Sequence, residues 1–384
     1  MASAPTPDIL GSVSPPVSHV LHVADRDTVL RFGPMLAQVL PALSAAGVRT
    51  SLVSNDPGFL TRLEHTPVER LAVPHLAGWR AWTVPSFLTG RVNPAPTLVH
   101  LWGTAGLWWA RRWTRQAGIP LLVHALGARN VARLAPGGRR RREHVLFAAG
   151  GLAAEWRRLA PAGPAPRVVP AGIAPPPVPL DQRPLERGAD GRVLTVLCVA
   201  EFAERAGLMV LVEAVGQLRR RGADLHALVI GSGPGSEVIW NCIREQEAAG
   251  SVSLLDEPAL WEKALPEVDV CVVPACQREL SIIPLLAMGL GKVVIASRDQ
   301  LADWFVDGTT CWMFTPGSAV ELAYLLTRVI EQPAAARELA VRGPACVRER
   351  HSLQHAMESL WAVYTAVADE AAAAGKPHAG PVDD

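Results

Sequence analysis

Short apolar runs recur along the chain, and most are followed by a stretch whose apolar residues return every three or four positions. That alternation is the pattern of parallel strands joined by helices. Val20-Leu-His-Val23 reads as a strand, and Phe32, Leu36, Val39 and Leu43 then share one helical face up to Gly47. Pro34 and Pro41 fall inside that helix, and the N–H missing at each predicts a kink or a late start. Val48–Val53 reads as the next strand, and Thr97–Leu101 and Pro120–Ala125 bracket a Trp-rich helix.

Residues 161–184 break the pattern with nine prolines, centred on Pro175-Pro-Pro177. Proline fixes φ and donates no hydrogen bond, so 161–191 reads as a hinge rather than as core helix or central strand. Beyond it the alternation resumes, with strands at 193–199, 226–230, 252–255, 268–273 and 292–296. Helices are expected at 207–220, 236–248 and 281–290. In the first of these, Leu208, Leu211, Val212, Val215 and Leu218 form a stripe to bury against a sheet. The segments 318–331, 334–349 and 353–373 read as helix alone. The fold predicted is α/β: two Rossmann-like doubly wound domains, 19–160 and 192–350, facing across a cleft. Residues 351–373 are expected to pack back on the first domain, with 1–18 a loose leader and 374–384 a flexible tail.

Composition agrees with two cores: 384 residues, 49% of them hydrophobic, suit two domains of about 150–200 residues. A formal charge of +1 gives no general attraction to nucleic acid. The first eighteen residues lack the basic start and apolar run of a signal peptide, and no stretch approaches the roughly 18 apolar residues of a membrane span. The six cysteines include no CxxC pair and no His at metal-site spacing, and Cys198 and Cys271 sit in strand-like runs as small buried hydrophobes. A cytoplasmic location is expected, with peripheral contact at the inner membrane face left open.

Five segments of the second half carry a recognisable outline: Val199-Ala-Glu-Phe through Glu213-Ala214, Val229-Ile-Gly-Ser-Gly-Pro, Val268 through Pro274, Ala287-Met-Gly-Leu-Gly-Lys through Ser297, and Asp307-Gly308. Arg167-Val-Val-Pro-Ala-Gly-Ile173 and the stretch from His351-Ser-Leu353 to Tyr364 extend it. Over residues 167–364 the chain resembles the family-4 (group 1) retaining glycosyltransferases of GT-B fold. The resemblance implies transfer of a sugar from a nucleotide-sugar co-substrate to a glycan or lipid-linked acceptor. It implies no metal or other cofactor, and a departing diphosphate neutralised by fixed cations and helix N-termini.

The charged positions of the family differ here. Its Gly-Arg, four residues, Lys frame reads Ala200, Glu201 and Ala206, with Arg205 one position before the lost Lys. Anchored on Pro274 and on Ala287-Met288, its two glutamate positions fall on Arg278 and Leu286, and Glu279 takes the place of a glycine. Glu201 and Arg278 are reciprocal charge changes, so a pair between them is expected. The family's His falls on Leu126, and His124, two residues earlier on the same strand face, can stand in. The first βα turn reads Ala24-Asp-Arg-Asp-Thr28, whose acids oppose close approach of phosphate.

The candidate catalytic residues are therefore His124, Glu279 and Arg278, and the candidate donor-binding residues Glu201, Arg205, Gly231, Gly233, Ser281 and Leu286. Gly231-Ser-Gly-Pro-Gly235 reads either as nucleotide contact or as a plain tight turn. Glu279 and Ser281 are expected at the start of a helix, with Glu279 as a cap. Arg139–Arg142 reads as a solvated run or as a site for anionic lipid. Trp109 and Trp113, beside Arg111, Arg112 and Arg115, read as a crossover helix against the sheet or as a membrane-surface helix. Three functions stay open: a glycosyltransferase with an atypical donor site, an inactive member of that family serving as a binding or scaffold subunit, and an unrelated GT-B enzyme such as an epimerase.

Overall fold

The computed structural model describes residues 15–135, 143–174, 193–274 and 279–375, apart from the side chains at 204, 205, 374 and 375. Most of the leader, the Arg139–Arg142 run, most of the Pro-rich stretch, Arg278 and most of the tail lie outside the described residues. The chain divides into two compact units: Met1–Ile173 with Ser352–Asp384, and Ala174–His351.

Unit 1 opens with β1 (His19–Ala24), α1 (Arg26–Ala45), β2 (Arg49–Ser54), α2 (Pro57–Arg62) and β3 (Glu69–Ala72). A 3-10 turn (Trp79–Thr83) leads into α3 (Val84–Arg91). Then come β4 (Leu98–Trp102), α4 (Leu107–Ala117), β5 (Leu121–Ala125), α5 (Ala128–Leu134), β6 (Glu143–Phe147), α6 (Gly150–Leu159) and β7 (Arg167–Val168). The strands lie in the order β3-β2-β1-β4-β5-β6-β7, and every pair is parallel. Parallel sheets are covered on both faces, which is why the central strands β1, β4 and β5 are mostly apolar and buried along their length.

Two expectations change here. Helix α1 starts at once, on an Asp25 cap that accepts the Thr28 N–H at 3.0 Å, and runs unbroken through Pro34 and Pro41. Each proline leaves the carbonyl four residues back without its donor. The buried face of Phe32, Leu36, Val39 and Leu43 holds the helix in place, since all four are no more than 2% exposed. Within the Pro-rich stretch, Arg167–Val168 is an edge strand rather than linker, and Val169 continues the pairing through its N–H to the Phe147 carbonyl at 3.0 Å. An edge strand tolerates nearby proline because only one side of its ladder is used.

Unit 2 contains β8 (Leu194–Val199), α7 (Arg205–Arg220), β9 (Leu225–Ile230), α8 (Ser236–Glu245), β10 (Val252–Leu255) and α9 (Trp261–Ala264). It continues with β11 (Val270–Val273), α10 (Ile283–Gly289), β12 (Val293–Ser297), β13 (Trp312–Phe314), α11 (Ala319–Glu331) and α12 (Pro333–Arg350). Its all-parallel sheet has the order β10-β9-β8-β11-β12-β13. Both sheets thus share the doubly wound order in which the first strand separates two oppositely progressing halves. The α7 stripe is buried throughout, with Leu208, Leu211, Val212, Val215 and Leu218 at most 1% exposed.

Helix α13 (Leu353–Gly375) belongs to unit 1 although it follows unit 2 in the chain. Ser352 caps it, accepting the His355 N–H at 3.2 Å, and the Leu353 N–H donates to the Ile173 carbonyl at 3.0 Å. Met357, Leu360, Tyr364 and Val367 form its buried face. Gly172 makes the junction possible: a Cβ there would lie 2.4 Å from the Ser352 oxygen and 2.5 Å from the Ala356 Cβ.

Candidate functional site

In a doubly wound sheet, ligands bind beyond the carboxyl ends of the strands, where adjacent connections leave to opposite sides. In unit 2 that point lies between β8 and β11. Glu201 follows β8 and Glu279 follows the end of β11, so topology brings two of the candidate residues to the same edge of the sheet. Both are half-buried, and both are engaged by other groups of the protein. Arg278 and its expected pairing with Glu201 lie outside the described residues, as does the Arg205 side chain; Arg205 itself begins α7. Other acids follow the remaining strands: Asp256 and Glu257 after β10, and Asp299 after β12. The cation at the end of β12, Arg298, is held by Asp307 at 2.7 Å and by the Met313 carbonyl at 2.9 Å.

The glycines of the turn after β9 have different tasks. A Cβ on Gly231 would lie 1.9 Å from the Ala200 oxygen, and one on Gly235 would lie 2.3 Å from the Phe202 oxygen. These two glycines let the turn press onto the loop after β8, where the Phe202 N–H reaches the Ser232 carbonyl at 3.0 Å. Gly233 has φ +112° with no neighbour near its Cβ position, so it serves the left-handed bend and leaves open space above it.

Glu279 is not a helix cap, contrary to the sequence expectation. Helix α10 begins four residues later, at Ile283, with Pro284 in its first turn, where proline's missing N–H costs nothing. Ser281 supplies the local turn instead, its Oγ accepting the Ile283 N–H at 3.2 Å. All seven residues of α10 are buried, and Leu286, at 7% exposure, offers an apolar side chain where the resembled family has a carboxylate. Sequence reasoning missed the end of β12: Ser297 Oγ, Asp299 Oδ1 and Trp304 Nε1 are buried without a hydrogen-bond partner. An open pocket of about 370 Å³ also lies in unit 2, lined by Asp307, Trp312, Arg328, Glu338 and Arg342. It sits by the start of β13 and the end of α11, away from the carboxyl edge.

In unit 1, His124 lies on β5, 2% exposed. It clusters with two other buried histidines, His22 and His100: His22 on β1 stands opposite His100 on β4, and Trp102 on β4 stands opposite His124. His124 stacks on Trp102 with centroids 4.9 Å apart and on His100 at 5.7 Å. Trp102 Nε1 donates to His22 Nδ1 at 3.1 Å, and His100 Nδ1 meets the Tyr364 hydroxyl of α13 at 2.9 Å. His22 Nε2, His100 Nε2 and both nitrogens of His124 have no hydrogen-bond partner of normal geometry, although the Val169 backbone near His124 partly opposes its shift. Burial pushes His22 down to about 3 and His124 down to about 4, and holds His100 well below the ordinary imidazole value. All three are neutral at pH 7. Among the described residues, no three His, Cys, Asp or Glu are grouped to hold a metal ion.

The tryptophans of α4 and its neighbouring strand divide. Trp102 and Trp109 are buried, and Trp109 Nε1 donates to the Leu76 carbonyl at 3.0 Å. Trp113 is half-buried, whereas Trp108 is 53% exposed. The outward face of α4 is therefore set by Trp108 and not by the Trp109/Trp113 pair. Arg111 is engaged by Glu143 through two hydrogen bonds of 2.9 and 2.6 Å. No helix among the described residues is long and apolar enough to cross a membrane.

Part of the chain is similar to known proteins. Residues 193–332 match the family model described as glycosyl transferases group 1. Alpha-D-kanosaminyltransferase of Streptomyces kanamyceticus is 24% identical over 182 residues, a stretch that spans 46% of this chain and 46% of that protein. Two solved structures each have a TM-score of 0.73 and cover 91% of this chain. One is the sucrose-phosphate synthase of Thermosynechococcus elongatus, 18% identical and covered over 99% of its length. The other is HepE of Anabaena in complex with UDP and glucose, 16% identical and covered over 100%. The chain has the GT-B fold, and its residues 193–332 carry the pattern of the group 1 glycosyl transferases.

Proposed function

We propose that this protein transfers a sugar from a nucleotide-sugar donor to a glycan or lipid-linked acceptor, with retention at the anomeric carbon and without a metal. The observation that carries the reading is the match of residues 193–332 to the group 1 glycosyl transferases, in the unit whose switch point bears Glu201 and Glu279. A nucleotide would be met by the open turn at Gly233 and the start of α8, with Ser281 on the loop after β11 and Leu286 an apolar residue of the helix that follows. The departing diphosphate would be met by Arg205 and Arg278 in place of the family's Arg and Lys. Glu279 would face the donor sugar. His124, neutral and closed off from solvent, is assigned a positioning role rather than proton transfer.

A second reading is an inactive member of the group that binds a partner. Glu201 and the other acids along the carboxyl edge favour it, since carboxylates repel a diphosphate. Titration calorimetry against UDP-, GDP- and ADP-sugars separates the two. The transferase reading expects millimolar or tighter binding of at least one donor, and release of its nucleotide when acceptor is added. Silence across the panel overturns it and leaves the inactive member.

A further inference from the structure

Three tryptophans stand out from unit 1 on one surface: Trp79 at 80% exposure, Trp82 at 55% and Trp108 at 53%. Side chains three residues apart eclipse in a 3-10 helix, so Trp79 and Trp82 point from the same side of the turn at Trp79–Thr83. Trp82 meets Trp108 of α4 edge to face, with centroids 5.2 Å apart. Arg80 lies over the Trp79 ring at 5.3 Å, Arg112 over Trp82 at 5.7 Å, and Arg91 over Phe87 at 4.7 Å. Indole rings left in water cost free energy that burial inside unit 1 would have removed, and Trp109 on the same helix is buried.

Charge identifies the occupant. Between Glu69 and Glu143 the sequence has no Asp or Glu, and residues 70–135 contain eight arginines and no lysine. That is a local excess in a chain whose formal charge is +1. Arg111 is turned toward Glu143 and paired with it, and Arg80, Arg91, Arg112 and Arg115 are exposed. Indole rings prefer the headgroup level of a bilayer, and guanidinium groups beside them meet anionic headgroups there. A cation over the Trp79 face and another over Trp82 keep charge and ring at the same depth.

We infer that the Trp79, Trp82 and Trp108 surface docks unit 1 on an anionic lipid bilayer. The protein lies on the membrane through this patch and does not span it. The surface is independent of the donor site, so a failure to bind nucleotide-sugars would leave it standing.

The test is cosedimentation of the full chain with vesicles of phosphatidylcholine alone, or with about 30% phosphatidylglycerol. Binding is expected on the anionic vesicles, falling about tenfold or more between about 0.05 and 0.5 M salt. Trp79→Ala with Trp82→Ala, and separately Arg80→Glu with Arg112→Glu, should each lower partitioning about tenfold or more, with circular dichroism unchanged. Equal partitioning onto neutral vesicles, or indifference to both double substitutions, overturns the inference. So does sedimentation velocity showing that Trp82→Ala with Trp108→Ala converts a dimer to a monomer, because the patch would then face a second copy.

Discussion

Lowering the pH from 7 to 5 should destabilise unit 1 sharply, and the reason lies in His22, His100 and His124. In the fold all three imidazoles are buried and neutral, with His22 at about 3, His124 at about 4 and His100 well below its ordinary value. Unfolded, each takes up a proton near pH 6.5. The unfolded chain therefore binds more protons than the folded one once the pH drops below 6.5, and stability falls until the folded values are reached. His22 and His124 then cost about 2 kcal/mol each between pH 7 and pH 5, and His100 shifts stability in the same direction. No carboxylate is among the influences on any of them, so nothing opposes the trend from within the cluster. With a urea slope of about 2 kcal/mol/M, the unfolding midpoint of unit 1 should drop by about 2 M or more, followed by tryptophan fluorescence. His124→Leu should remove about 2 kcal/mol of the pH dependence, since one titrating group is lost while His19, His22, His100 and His144 remain. A midpoint that stays put between pH 7 and 5, or a His124→Leu chain with the same slope as the parent, would refute the reasoning.

Two further outcomes test the packing and the donor site. Gly172→Ala places a methyl group against the Ser352 carbonyl, a backbone atom that cannot swing away. It should cost about 1–3 kcal/mol, read as a lower urea midpoint, and an unchanged midpoint would show that α13 is not seated on Gly172. Glu201→Arg places a cation just after the carboxyl end of β8. It should tighten UDP binding about tenfold in calorimetry, and weaker or unaltered binding would mean that position 201 does not face the diphosphate.

Much of unit 2 was legible because its parallel strands are predominantly apolar runs and α7 carries a clean stripe. The elements that escaped notice lack such a signal. β3 is the four residues Glu69–Ala72, half of them charged, and β7 is two residues beside prolines. The start of α10 was placed too early because Glu279 looked like a cap, whereas Pro284 was the better mark of a first turn. The histidine cluster depends on which strands are neighbours, but a trace of it was present. Val20-Leu-His-Val23, Leu98-Val-His-Leu101 and Leu122-Val-His-Ala125 each set a histidine third in an apolar run. Trp79 and Trp82 gave no periodic signal, since a single 3-10 turn is too short to show one. Along the carboxyl edge of the unit 2 sheet, the roles of Gly231 and Gly235 needed the backbone of the opposing loop and could not be read from the sequence.

Helix α13 has a consequence for how the molecule is made. Its Tyr364 hydroxyl is the partner of His100 Nδ1, and its first turn is tied to Ile173. A ribosome delivers both of these partners, and all of unit 2, before it delivers α13. The portion synthesised first is therefore the last to be completed, and its apolar underside waits uncovered while the intervening unit emerges. A nascent chain arrested near residue 351 should carry a finished second lobe and an unfinished first, the form that a holdase would recognise.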